Sequence, residues 1–136
     1  MPKFLFDECF GHKVVTAISN LVKFHKSPCE VFHMKDLGYL GIADGIWTSQ
    51  IGQEYILITS DRARKNGGDK LPVICKNKKI TTVLLSKAMH NQNQFYKASA
   101  IISLWDKFLT IESQPVGDQY ILKYSDKRNA QLIKKM

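Results

Sequence analysis

The chain has 136 residues, the length of one folded domain and enough to bury a core without disulfides or a structural metal. Hydrophobic residues make up 44% and charged residues 24%, which excludes wholesale disorder and low-complexity architecture, and no apolar run approaches the roughly 20 residues a bilayer span needs. Lys and Arg number 20 against 12 Asp and Glu, a net charge of +8 that favours an anionic partner, with nucleic acid the first to test against the plain alternative of charge that only aids solubility.

Lys3–Phe6 is short, apolar and aromatic and ends abruptly in Asp7 and Glu8, as a buried strand does on reaching solvent. From Gly11 the apolar positions Val14, Ile18, Leu21 and Val22 recur at helical spacing, and Pro28 ends that helix. Glu30–Met34 reads as a second strand. Asp36 to Gly45 reads as a loop punctuated by Gly38, Gly41 and Gly45, with a short helix around Trp47. Tyr55–Thr59 is continuously apolar, which predicts a strand buried on both faces of a parallel sheet, and it too is followed by an acid, Asp61. A basic stretch with Arg62, Arg64, Lys65, Lys70, Lys76, Lys78 and Lys79 reads as surface. Ile80–Leu85 reads as another buried strand. Gln92–Phe108 reads as a helix whose Phe95, Ile101, Ile102, Leu104, Trp105 and Phe108 face a core. Pro115 to Asp118 then turns a terminal hairpin between Leu109–Ser113 and Gln119–Tyr124. No repeat or linker divides residues 1–136.

Strands alternating with helices predict an α/β fold with a mainly parallel sheet and helices on both faces. Ligands in such sheets sit beyond the carboxyl ends of the strands, so Asp7, Glu8 and Asp61 are placed to converge there. Several carboxylates in one crevice need a compensating cation, and magnesium or manganese takes hard oxygen donors together with substrate phosphate. Asp7, Asp44 and Asp61 are suitable donors. Taken singly, each has a plainer explanation: helix capping for Asp7 and Asp44, a turn after a strand for Asp61.

Phe4-Leu-Phe-Asp-Glu-Cys9, Asp44 just before Trp47, and Tyr55-Ile-Leu-Ile-Thr-Ser-Asp-Arg62 together resemble PIN-like domains, in particular the VapC-type toxin ribonucleases. The resemblance is best over residues 3–64 and looser over the apolar helix and terminal hairpin. It implies a three-layer α/β/α fold and a metal-dependent endoribonuclease using Mg2+ or Mn2+, with Asp7, Asp44 and Asp61 as metal ligands and catalytic acids and Glu8 ranked below them. It further implies phosphodiester hydrolysis by an ion-activated water, the ribose 3′ oxygen as leaving group, RNA gripped by Arg62, Arg64 and Lys65, a silencing antitoxin protein and a homodimer. The chain departs from the family where many members place a further acid after the third. Here Arg62, Ala63 and Arg64 stand there and Asp69 is the next carboxylate, which leaves a second metal ion without that donor.

Two rivals come from other classes. A receiver-like phosphoacceptor domain would use Asp61 as acceptor with Asp7 and Glu8 on magnesium, but gives Asp44 no role and sits poorly with strong basicity. A catalytically inert nucleic-acid-binding module would use the charge and treat the acids as caps. Weaker signals point nowhere: Gly38-Tyr-Leu-Gly41 reads as a turn rather than an RNA-clamping loop, and no P-loop or nucleophile elbow occurs. His12, His25, His33 and His90 lack metal-ligand spacing and read as surface or interface residues. Cys9, Cys29 and Cys75 are odd in number with no CxxC pair, which argues against disulfides and zinc, and Cys9 reads as a small buried side chain rather than a nucleophile. No basic-then-apolar leader precedes Phe4, so the expectation is a cytoplasmic protein with no signal peptide and no membrane association.

Overall fold

The computed structural model describes residues 1–60, 70–124 and 129–135. Its elements, in chain order, are β1 (Lys3–Phe6), α1 (His12–Val22), β2 (Glu30–His33), α2 (Asp44–Ile51), β3 (Tyr55–Thr59), α3 (Leu71–Asn77), β4 (Thr82–Leu85), α4 (Lys87–His90), α5 (Gln94–Ser103), α6 (Trp105–Thr110), a 3-10 turn (Ile111–Ser113), β5 (Gln119–Tyr124) and β6 (Ala130–Lys134). The strands form one six-stranded sheet in the order β2-β1-β3-β4-β5-β6, parallel except for the last pair. No helix among the described residues is long and apolar enough to cross a membrane.

The continuous apolar runs of β1 and β3 occupy the sheet centre, where both faces are covered. Phe4 and Phe6 point to one side with Ile56, Ile58, Val83, Leu85, Tyr120 and Leu122, and there meet α1, α4, α5 and α6 through Ile18, Met89, Ile101, Trp105 and Phe108. Leu5 and Leu57 point to the other side and meet α2 and α3 through Trp47, Ile51, Leu71 and Cys75. Burying a side chain of this size contributes about 1.5–3 kcal/mol, so these two clusters set both the register and the layering. The α/β class and the central, mostly parallel sheet with helices on both faces are as the sequence predicts.

The winding holds one surprise. The crossover through α1 runs from β1 outward to β2, while those through α2 and α3 run the opposite way across the sheet on the opposite face, so all three share one hand. The β4-to-β5 crossover runs in the same direction as α2 and α3 but lies on the α1 face, so its hand is opposite. Right-handed crossovers are nearly universal, and a sheet wound only that way would carry these helices on the α2/α3 face. Their displacement leaves that face of β5 and β6 open. A groove of about 230 Å³ lies there between Lys70, Pro72, Val73, Leu84, Ile121 and Lys135, and Ile133 stays 41% exposed.

Several expectations need correction. Leu109–Ser113 is not a strand: the helical path continues through Thr110 and the 3-10 turn, because Trp105, Phe108 and Ile111 bury at three-residue spacing. Gln119–Tyr124 therefore pairs in parallel with β4, and the terminal hairpin is β5 with β6. The long helix is broken at Leu104 into α5 and α6, and Phe95, read as core-facing, is 88% exposed. On α1 the buried stripe is Val15, Ile18 and Val22, with Leu21 outside. Within the basic stretch Leu71–Asn77 is a helix that buries Leu71 and Cys75, opened by Pro72 in its first turn.

Candidate metal centre

Asp7 is the first residue past β1, and its backbone N–H donates to the Ile58 carbonyl at 3.2 Å, extending the β1–β3 ladder by one bond. Strand alternation then sends its side chain to the same face as Leu5 and Leu57. The carboxylate is 3% exposed. Its Oδ1 accepts from the Cys9 backbone N–H at 3.0 Å, and its Oδ2 accepts from the Thr59 hydroxyl, the next register position on β3. A buried carboxylate at the junction of two parallel strands is costly unless bonded in this way, and its place is the point where the strand order of an open α/β sheet reverses, which is where such sheets hold their ligands.

Asp44 arrives through the loop leaving the carboxyl end of β2, which turns at Gly38 and Gly41, both with positive φ. It opens α2, but it is not the cap. Ala43 is the N-cap residue, and Asp44 Oδ1 instead accepts from the Trp47 indole N–H at 3.0 Å. Asp7 is likewise no cap, since α1 starts after Gly11. Both capping explanations therefore fail for these residues. The pKa of the buried Cys75 thiol is pushed up to about 11, first by burial, with the Thr82 hydrogen bond and the Lys78 charge opposing and the charges of Asp44 and Asp7 adding to it. Lys78, at the end of α3, ties back to α2 through the Gly45 carbonyl, Thr48 Oγ1 and Ser49 Oγ at 2.7–2.8 Å.

Glu8 follows Asp7 and is exposed, as alternation requires of the second of two adjacent acids. Asp61, Arg62, Arg64 and Lys65 lie outside the described residues. Among the described residues no three His, Cys, Asp or Glu side chains form a metal-holding group.

Family models, curated proteins and solved structures were compared with the chain, and none matches.

The other wall of the crevice was invisible in the sequence. Ser60 points away from Thr59 and Asp7, and its Oγ lies 2.6 Å from His90 Nδ1 at the end of α4. The Cys9 thiol is half-buried; burial first, then the Asp7 charge, raise its pKa, so it stays protonated and is no activated nucleophile. Lys97 of α5 is only 3% exposed, with its ammonium 3.5 Å from the His90 carbonyl and over the Phe10 ring at 5.3 Å. Gln94 spans Cys9 and Gly11, accepting from the Gly11 N–H and donating to the Cys9 carbonyl, each at 3.3 Å. His33, expected on the surface, is buried: Nε2 sits 2.8 Å from the Phe10 carbonyl and Nδ1 accepts from the Lys35 N–H at 3.0 Å. These contacts brace the loop that carries Asp7, Cys9 and Phe10.

Proposed function

We propose that the chain is a PIN-like, metal-dependent endoribonuclease that hydrolyses RNA phosphodiester bonds, the toxin component of a toxin–antitoxin pair held silent by an antitoxin protein. One observation carries this reading: the Asp7 carboxylate, buried at the carboxyl ends of β1 and β3, has its two oxygens oriented by Thr59 and the Cys9 N–H, and Asp44 opens the α2 helix that packs on the same face of the sheet. The donor chemistry fits Mg2+ or Mn2+, which take carboxylate oxygens and keep waters and substrate phosphate. Asp7 and Asp44 would hold the ion, with Asp61 as third donor and Glu8 behind them. When bound, the ion supplies a Lewis acid for the phosphoryl oxygens and an activated water at neutral pH.

The chain's own contribution is orientation. Thr59 and the Cys9 N–H fix how the Asp7 carboxylate lies, which sets the direction in which its oxygens face. Trp47 does the same for Asp44. The +8 charge supplies attraction to an RNA backbone, with Arg62, Arg64 and Lys65 adjoining Asp61 in sequence.

A receiver-like reading has one observation in its favour, since the order β2-β1-β3-β4-β5 is that of flavodoxin-like sheets, receivers among them. The reversed β4-to-β5 crossover weighs against it. Incubation of a single-stranded RNA with the protein and Mg2+, Mn2+ or EDTA tests the proposal. Cleavage with either metal, none in EDTA, and a loss of at least about 10³-fold in Asp7→Asn are expected. No cleavage with any metal, together with a stable acetyl-phosphate adduct on Asp61, would transfer the site to signalling; RNA binding without cleavage in parent and Asp7→Asn alike would leave an inert binding module.

A further inference from the structure

We propose that His90 donates the proton to the leaving oxygen in this cleavage, with Ser60 as its positioning residue and Lys97 as a fixed positive charge beneath it; the assignment rests on the nuclease reading. The starting point is in-line geometry. Attacking and leaving oxygens lie on opposite sides of the phosphorus, so a site with its carboxylates on one wall needs its proton donor on the other. The carboxyl edge of the sheet carries such groups on its two sides. Asp7 lies on the α2/α3 side of the sheet, and Ser60, His90 and Lys97 lie on the α1/α5 side.

The two walls are linked at close range. Thr59 holds Asp7 and Ser60 holds His90, adjacent residues at the end of β3 whose side chains alternate across the sheet. The Cys9 backbone N–H also donates to Asp7 Oδ1, at 3.0 Å. With Nδ1 tied to Ser60, the imidazole presents Nε2 to the open side, and His90 is exposed where it does so. A hydroxyl suits this post in both protonation states: it accepts from Nδ1–H of the imidazolium and donates to Nδ1 of the neutral ring. Lys97 completes the wall. Its buried ammonium bonds to the His90 carbonyl and lies over the Phe10 ring, with no carboxylate ion pair among the described residues, so its field is available to negative charge developing on the leaving side.

The step balances as follows. Water adds to phosphorus through its oxygen, the P–O3′ bond breaks with its electron pair on O3′, and the Nε2 proton of the imidazolium moves to O3′. The products are a 3′-hydroxyl, a 5′-phosphate and neutral imidazole, and the proton shed by the attacking water returns to His90 through solvent.

Leaving-group replacement is the decisive experiment. One short single-stranded RNA is cut with Mn2+ present, as itself and with the bridging 3′ oxygen at the cleaved position replaced by sulfur, which departs as thiolate without a proton. His90→Gln is expected to lose about 10²-fold or more on the oxygen substrate and to stay within a few-fold of the parent on the sulfur substrate. Ser60→Ala should show the same pattern at smaller amplitude, and Asp7→Asn should lose both. Equal losses on both substrates in His90→Gln, or no loss on either, overturn the assignment while leaving the nuclease standing; a parent that cuts neither overturns both. An independent readout needs no metal: in EDTA, with the same RNA added to saturation, the imidazole 15N signals of His90 should shift, and unmoved signals would remove His90 from the substrate's path.

Discussion

The two walls of the crevice solve opposite electrostatic problems with opposite means. On the α2/α3 side two carboxylates accept hydrogen bonds from a hydroxyl, a backbone amide and an indole. On the α1/α5 side an ammonium is buried against an aromatic face and a carbonyl, with an imidazole and a serine above it. Burying either charge costs several kcal/mol of desolvation, which these contacts offset. The lesson is that one sheet edge holds an anion by hydrogen bonds on one face and a cation by an aromatic ring and a carbonyl on the other.

The sharpest way to break that comparison is to remove the buried ammonium. Lys97→Met keeps the volume and deletes a desolvated charge whose partners are one long hydrogen bond and a cation–π contact of about 2 kcal/mol. Such replacements are often neutral or stabilising by about 1–4 kcal/mol, and we expect a rise in urea or thermal stability of about 1 kcal/mol together with slower cleavage. A loss of several kcal/mol would make Lys97 a structural strut and dissolve the parallel between the walls. The carboxylate wall has the opposite signature. Lys78→Met should destabilise by about 1 kcal/mol, since a charge-assisted contact to three oxygens of α2 is lost at a partly solvated site. Because the same contacts fix the first turns of α2, and so Asp44, cleavage should fall about tenfold, measured as kcat/KM on the short RNA.

How far these walls could be read from the sequence follows from the kind of signal each leaves. The near-continuous apolar run Tyr55–Thr59 admits no amphipathic alternative, so β3 was legible, and β1 was legible for the same reason. Asp44 was found as a chemical type beside Trp47, but its bond to the indole rather than to the helix end depends on tertiary packing. The α1/α5 wall leaves no local trace. His90 has no partner at metal-ligand spacing, and its contact Ser60 lies 30 residues away. Lys97 violates the rule that puts charge on the outside of a helix, while Phe95 two residues earlier violates the converse, and the face of α5 was misjudged by both. The strand expected at Leu109–Ser113 failed because alternation over five residues cannot be told from the edge of a helix that buries Trp105, Phe108 and Ile111. Lysines masked α3, whose buried pair Leu71 and Cys75 is a single turn's worth of pattern.

The smallest expected effect tests the brace that both walls share. Asp36 lies in the loop after β2, with Oδ1 2.7 Å from His12 Nε2 and Oδ2 2.9 Å from the His33 backbone N–H. Burial pushes its carboxyl up, but the His33 N–H, the His12 hydrogen bond and the charge interactions with His12 and His33 outweigh this, so its pKa lies below the ordinary carboxylate value. A carboxylate with a depressed folded pKa adds stability that is fully present above its unfolded pKa of about 4 and is lost as pH falls through the folded value. The parent should therefore melt higher than Asp36→Asn near neutrality, with the gap closing below about pH 4. Both side chains are about two-fifths exposed, so solvent screening keeps the gap small and added salt should shrink it further. A gap that persisted unchanged at acid pH would assign the brace to the buried His33 bonds, to Phe10 and Lys35, rather than to Asp36, and the loop carrying Asp7 and Cys9 would then be held from beneath rather than from the rim.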